Sequence, residues 1–328
     1  MNLIVLDLEW NQSSTGTEPE VAILPFEIIE IGAIKINDSG QMVGEFSELI
    51  RPQVYRKMHS YTSRLIHLQM EELEKGGPFP DVWERFAAWC GAPDSYRLCT
   101  WGPSDVTELQ RNLRYYHLPL LKEGPVPYLD AQKLFTLCYE EDRRVRKSLE
   151  SAVDDLGIER DIPFHRAFSD AYYTAKVTLR MRSEKPKVFS RISYDVTIPP
   201  KNKEEEIHVR FENYGKYISR VFEDRDHALS DKEVLSTRCF ACGKPTKRKI
   251  KWFSTNGKHY YSIAECEEHG LLKGKIRLHK VQEDHVFVVK TQRMVTQEEA
   301  DEIRSKRNKA EQKLREQEKK RGSGFLGN

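Results

Sequence analysis

The 328-residue sequence predicts an α/β domain over residues 1–183 and a small, β-rich, metal-stapled module over residues 237–295. Two patterns carry that expectation. Three successive strand-like runs give way to alternating helices and strands, and a late pair of cysteine turns flanks a hairpin. Charge is the third observation. Residues 1–183 hold 21 Lys and Arg against 28 Asp and Glu, whereas residues 184–328 hold 32 against 23. This split suggests a carboxylate-bearing site joined to a module that holds a polyanion; a charged face kept for solubility is the alternative.

The first element opens on Leu3-Ile4-Val5-Leu6 and closes on Asp7-Leu8-Glu9-Trp10-Asn11. In a strand, residues i and i+2 share a face, so Asp7 and Glu9 stand together at the end of a buried run. Two carboxylates that close repel one another unless a cation lies between them. A loop through Ser13, Ser14 and Gly16 follows. Strands are expected over 26–37 and 42–50, joined by the tight turn Asp38-Ser39-Gly40. Residues 78–91 read as a helix, with a proline near the start, apolar residues at helical spacing and a terminal glycine. A short buried strand over 96–102 precedes an amphipathic helix over 104–117, and Val126–Asp130 suits another short strand. Helices around 130–140, 147–156 and 167–182 complete the domain.

Residues 184–236 read as linker or as a segment of uncertain role: Pro199-Pro200 and a Lys/Glu run look like linker, while an aromatic stretch could pack but receives no role. Beyond 237, two strand-like runs surround Asn256-Gly257, a strong hairpin signal, and a second hairpin follows over 274–292. Residues 296–328 read as a solvated charged helix ending in a frayed Gly/Ser tail. There is no internal repeat.

Some classes are excluded. No run of about 20 apolar residues is present, so no membrane span is expected. The N-terminus enters a strand directly, without a basic region or a small-residue cleavage pattern. Cys90, Cys99 and Cys138 are scattered among apolar residues as core thiols, a usage that suits a reducing compartment. A soluble, cytoplasmic protein is the expectation.

Further carboxylates lie at the ends of elements in the same domain. Asp105 follows the strand that ends near Thr100 and begins a helix, where it could equally serve as a helix-terminal cap. His165 lies in a loop after Pro163, and Asp170 begins the next helix. The segments "VLDLEWN", "LCTWGPSDVTELQRNL" and "HRAFSDAYYTAKV" resemble, in order, the three motifs of the DEDDh exonucleases. "FEIIEIGAIKI" is similar to that family's second strand, and the Trp-Gly before Asp105 is shared with its KapD-like and Eri-type exoribonuclease branch.

The resemblance implies a ribonuclease H-like fold with a five-stranded mixed sheet flanked by helices. It also implies a 3′–5′ exonuclease that releases nucleoside 5′-monophosphates from single-stranded nucleic acid. The physical chemistry agrees. Phosphodiester hydrolysis needs a nucleophile made from water at neutral pH and a stabilised leaving oxygen, and two Mg²⁺ or Mn²⁺ ions on hard oxygen ligands supply both. Asp7 is expected to bridge the ions, Glu9 and Asp170 to complete the first, and Asp105 to support the second through water. His165 is the candidate general base. Trp10, Phe26 and Trp101 are candidates to contact the terminal nucleotide; for Trp10 and Phe26 an ordinary core role is the alternative.

Cys239-x2-Cys242 and Cys266-x2-His269 form two half-sites that the Asn256-Gly257 hairpin would bring together, a set suited to one tetrahedral structural Zn²⁺. His259 is an alternative fourth ligand. This looks like a zinc ribbon. Residues 238–293 carry 13 Lys and Arg against 5 Asp and Glu, with aromatics interleaved, which suits single-stranded nucleic acid. RNA as the substrate rests on the branch resemblance. The alternatives are a DNA exonuclease and a nucleic-acid-binding protein with a decayed nuclease domain; the presence of all five catalytic residue types opposes the latter.

Overall fold

The computed structural model describes residues 1–13, 20–66, 68–212 and 214–323; Ser14 and Gly16 of the first loop and the tail beyond Ser323 lie outside them. The chain forms two compact units, Met1–Ile198 and Pro199–Asn328.

In the first unit, β1 (Asn2–Gln12), β2 (Phe26–Ile36) and β3 (Met42–Leu49) form an antiparallel meander. Two short helices absent from the sequence expectation, α1 (Ser60–Ile66) and α2 (Met70–Leu73), precede α3 (Phe79–Cys90). Then come β4 (Tyr96–Thr100), α4 (Ser104–Tyr115), β5 (Val126–Asp130), α5 (Ala131–Tyr139), α6 (Leu149–Asp155) and α7 (Ala167–Glu184). β4 runs parallel to both β1 and β5, so the sheet is mixed.

The expected fifth strand is not the last. β6 (Ser193–Asp195) pairs antiparallel with β5, giving the order β3-β2-β1-β4-β5-β6. Asp195 secures this edge by accepting a hydrogen bond from the Thr107 hydroxyl at 2.6 Å. The domain therefore runs past residue 183, because three residues of assumed linker find an open sheet edge.

Alternation along β1 divides the core. Ile4, Leu6 and Leu8 pack with α3 and α4, while Leu3 and Val5 pack with α5, α6 and α7. Asp7 and Glu9 continue the second set, so they face the α7 side.

The second unit corrects the linker expectation over 184–236 more strongly. Residues there form β7 (Ile207–Arg210), β8 (Tyr214–Ile218), α8 (Arg225–Ser230) and α9 (Lys232–Leu235). β9 (Lys247–Ser254), β10 (His259–Cys266), β11 (Gly270–Lys280) and β12 (Val286–Met294) follow, then α10 (Gln297–Ser323). All six strands make one antiparallel sheet, β7-β8-β12-β11-β10-β9. The aromatic stretch without an assigned role thus extends the hairpin sheet, and Tyr217, Phe222, Ala228 and Val234 join its core. α10 is not wholly solvated, since Ala300 and Ile303 pack on Ile250 and Ile263. Among the described residues, no helix is long and apolar enough to cross a membrane.

Candidate active site and metal centres

β4 pairs in parallel with β1 only over Asn2–Val5, so Asp7 and Glu9 lie beyond the paired stretch, toward the C-terminal ends of the parallel strands, the usual place for a site in a sheet of this kind. Asp7 sits on β1 directly across from Gly32 on β2, and Glu9 sits across from Glu30. Gly32 matters because it has no side chain. A Cβ there would lie 2.1 Å from the backbone of Ala167 and Phe168, so the first turn of α7 rests on bare strand. That contact carries Asp170, in the same turn, to Asp7 and Glu9: oxygens of the three carboxyls lie within 4.8 Å of one another.

Asp105 stands outside this trio. It begins α4 and is buried, and its Oδ1 accepts the Leu8 amide hydrogen at 3.1 Å. It thereby anchors α4 to β1 between the two β1 carboxylates.

The electrostatics are those of a site short of positive charge. Burial, then Asp105, Glu9, Asp170 and Glu30, push the Asp7 carboxyl well above its usual range. Burial first and the neighbouring Asp170 and Glu30 next raise Glu9 to about 8. Burial raises Asp105 to about 7 and Asp170 to about 6, even though backbone N–H donors stabilise both carboxylates. One of those donors is the His165 amide, 3.3 Å from Asp170 Oδ1.

Glu30 is a site residue that sequence reasoning missed. It is 1% exposed and pairs with Arg166 at 2.8 Å, which locks the residue next to His165 onto β2. The available signal was a charged residue inside the otherwise apolar run Ile28-Ile29-Glu30-Ile31. Asn11, near the end of β1, is a second such residue. Its side-chain amide donates to the Tyr55 and Lys57 carbonyls at 2.9 Å, and its Oδ1 accepts from the His59 amide at 2.9 Å, tying the segment before α1 to β1.

His165 has a left-handed backbone, φ 67°, and its half-exposed ring places Nε2 3.2 Å from Glu150 Oε1. The three aromatic candidates divide. Trp10 and Phe26 lie together at the end of β1, with ring centroids 5.7 Å apart. Trp101 packs on Phe135 at 5.9 Å and donates its indole N–H to the Lys147 carbonyl at 3.2 Å, contacts of a core residue.

In the second unit the predicted cysteines and histidine converge. Cys239, Cys242, Cys266 and His269 offer ligand atoms within 4.8 Å of one another. A tetrahedral zinc with bonds of about 2.3 Å to sulfur would hold its sulfurs about 3.8 Å apart. Cys242 and Cys266 stand at 3.7 Å, and His269 Nδ1 lies 3.6 Å from Cys266 and 3.7 Å from Cys239. This Cys3His set could hold zinc. His269 draws the Cys266 thiol down to about 6, which favours the ligating thiolate. His259 is engaged elsewhere, with Asn256 at 3.1 Å. By contrast, burial pushes the core thiols Cys90 and Cys99 up to about 12, so they are inert.

Residues 4–178 match the exonuclease family RNase_T. The chain belongs to this family, in its DEDDh type. It is 32% identical over 186 residues to the PolC-type DNA polymerase III of Thermotoga petrophila, covering 54% of this chain and 12% of the polymerase. It is 23% identical over 186 residues to the probable 3′-5′ exonuclease KapD of Bacillus subtilis, covering 56% and 86% of the two chains. ERI1 exoribonuclease 2 of Xenopus laevis is 23% identical over 205 residues, 55% of this chain and 28% of its own. The nuclease domain of 3′hExo, a DEDDh family member bound to rAMP, superposes with a TM-score of 0.50 at 20% identity, covering 58% of this chain and 96% of that one. That likeness concerns the fold.

Proposed function

We propose that this protein is a two-metal-ion 3′–5′ exonuclease acting on single-stranded RNA. The observation that carries the proposal is the trio Asp7, Glu9 and Asp170, each half-buried, with carboxyl oxygens gathered within 4.8 Å of one another. Three such carboxyls cannot all ionise near neutral pH without a cation among them. Their hard oxygens fit Mg²⁺ or Mn²⁺ rather than a softer metal.

Asp7 would be shared between two ions, with Glu9 and Asp170 completing one and Asp105 supporting the other through water. Bound there, the ions would neutralise phosphate charge and make a water acidic enough to act at neutral pH. His165 would be the group that accepts a proton from the attacking water. Its Nε2–H, donated to Glu150, leaves Nδ1 as the basic nitrogen, and its half-exposed ring is within reach of solvent. The Glu30–Arg166 pair holds the His165 loop and the start of α7 in place. Trp10, near the end of β1, and Phe26, at the start of β2, would stack on the terminal base, and RNA is favoured by the Eri-type and KapD-like resemblance.

DNA is the second reading, favoured by the 32% identity to a DNA polymerase. Matched end-labelled RNA and DNA strands, digested in Mg²⁺ and in Mn²⁺, decide between them. Mononucleotides should appear from a free 3′ end, and Asp7→Asn should abolish them without loss of fold. Internal cuts in a circular strand, or an active Asp7→Asn protein, would sink the proposal.

A further inference from the structure

The basic charge of the second unit is not spread evenly over its sheet. Register decides which side chains share a face. On β10 and β11, His259 pairs with Arg277, Tyr261 with Lys275 and Ile263 with Lys273. On β11 and β12, Lys275 pairs with Thr291 and Arg277 with Val289. Paired residues point the same way, so these side chains occupy one face. The opposite face, bearing Tyr260, Ile276 and Val288, is covered by Ala228 of α8 and Val234 of α9.

α10 covers one end of the charged face, where Ala300 and Ile303 pack with Ile250 and Ile263 and the half-buried Tyr261 borders that cluster. From there its exposed Lys306 reaches over Tyr261, with Nζ 5.7 Å from the ring centroid. Lys275, Arg277 and Lys306 have no acidic partner among the described residues.

Acidic groups stand only toward the α10 end and the β9 edge, where Glu299 pairs with Arg293 and Glu265 with Lys249; around His259 and His279 the neighbouring charges are positive. After burial, the groups that push His259 down are Lys275, Arg277 and Lys258. For His279, held down at about 4, they are Arg277, Lys216 and His259. Like charges gathered on one sheet face destabilise it. This chain bears that cost where acidic partners would have been easy to place, and a polyanion offsets it.

We infer that the face formed by Lys275, Arg277, His259 and Tyr261, with Lys306 of α10, holds the phosphodiester backbone of a single-stranded nucleic acid. Cations alternating with rings suit a single strand, whose phosphates meet the charges while unpaired bases stack on the aromatics. The inference rests on the proposed nuclease reading only for the identity of the strand; no catalytic group is involved.

The test is fluorescence anisotropy with a labelled oligouridine and a matched oligothymidine across a salt series. The full zinc-loaded chain carries Asp7→Asn so that the strand survives. Lys275→Gln, Arg277→Gln and Lys306→Gln together should weaken binding, and they should flatten the log affinity against log salt slope by about 0.7 per phosphate contact, about 2 in all. Exchanging the cations, Lys275→Arg with Arg277→Lys, should keep the slope, which separates charge from folding. A control removes as many charges from the outer part of α10, through Lys309→Gln, Lys313→Gln and Arg315→Gln, and should leave the slope nearly unchanged. An unaltered slope in the folded triple variant overturns the inference, as does an equal loss in the control. Hydrolysis of a dinucleotide by the parent protein is scored separately: an inactive parent whose binding still follows this pattern refutes the nuclease and leaves the face standing.

Discussion

Gly32 carries more of the site than its size suggests, and Gly32→Ala is the sharpest test of how the carboxylates are assembled. The new Cβ would lie 2.1 Å from Ala167 C and Phe168 N, both backbone atoms that no rotamer change can remove. Restoring ordinary contact near 3.4 Å requires the first turn of α7 to retreat by about 1.3 Å. Asp170 belongs to that turn and would retreat with it, away from the His165 amide in the loop before the helix and from the β1 carboxylates. A misplacement of about 1 Å costs on the order of 10²-fold in rate, so at least that loss is expected. Overpacking should cost about 2 kcal/mol, a fall of about 4–8 °C in Tm for a unit of this size, which leaves the protein folded at assay temperature. The assay is the turnover of a dinucleotide in saturating Mn²⁺, with Tm measured alongside. Gly44→Ala on the edge strand β3 is the control, since its nearest contact would be 3.4 Å, to the Trp89 ring. A folded Gly32→Ala protein with a near-parental rate would refute the argument that the bare strand positions Asp170.

His165→Ala should lower the rate by about 10²- to 10⁴-fold while Mn²⁺ still raises Tm, and the limb of the pH–rate profile through the imidazole range should vanish. If that limb persists, the base lies elsewhere. Stability should also depend on pH. A carboxyl whose folded value is raised favours the folded state fully near pH 4, and loses that advantage as pH climbs through its folded value. Without added divalent ions, Tm should therefore fall as pH rises through about 6, 7 and 8, where Asp170, Asp105 and Glu9 give up their protons. Mn²⁺ should restore it most at the alkaline end, and Asp7→Asn should flatten the fall. A flat ion-free profile in the parent protein would argue that the carboxyls are better solvated than their burial indicates.

The carboxylates were legible because each stands at the end of an element with a clear pattern. Apolar alternation along β1 places Asp7 and Glu9 together, and helix starts mark Asp105 and Asp170. What brings the third of these to the first two was not legible. Gly32 lies in a run where glycine signals nothing, and only the crossing of α7 shows why a side chain is forbidden there. Glu30 was hidden for a related reason. Its meaning comes from a register partner, Glu9, and an ion-pair partner 136 residues away, Arg166. The zinc half-sites were legible because short local turns define them. The rest of the second unit was not, since β7 and β8 are short and interrupted by charge, and acquire strand structure by adding to the edge presented by β12. The same logic links the two metal centres. In each, the sequence names ligands that a bound cation would hold together, and packing elsewhere gathers them regardless: Gly32 under α7, and Gly215, where a Cβ would strike the Phe240 side chain, next to Cys239, at 2.7 Å. Both glycines leave bare strand on which a neighbour rests, the α7 backbone on Gly32 and the Phe240 side chain on Gly215, so each site is assembled by packing rather than by attraction among its own ligands.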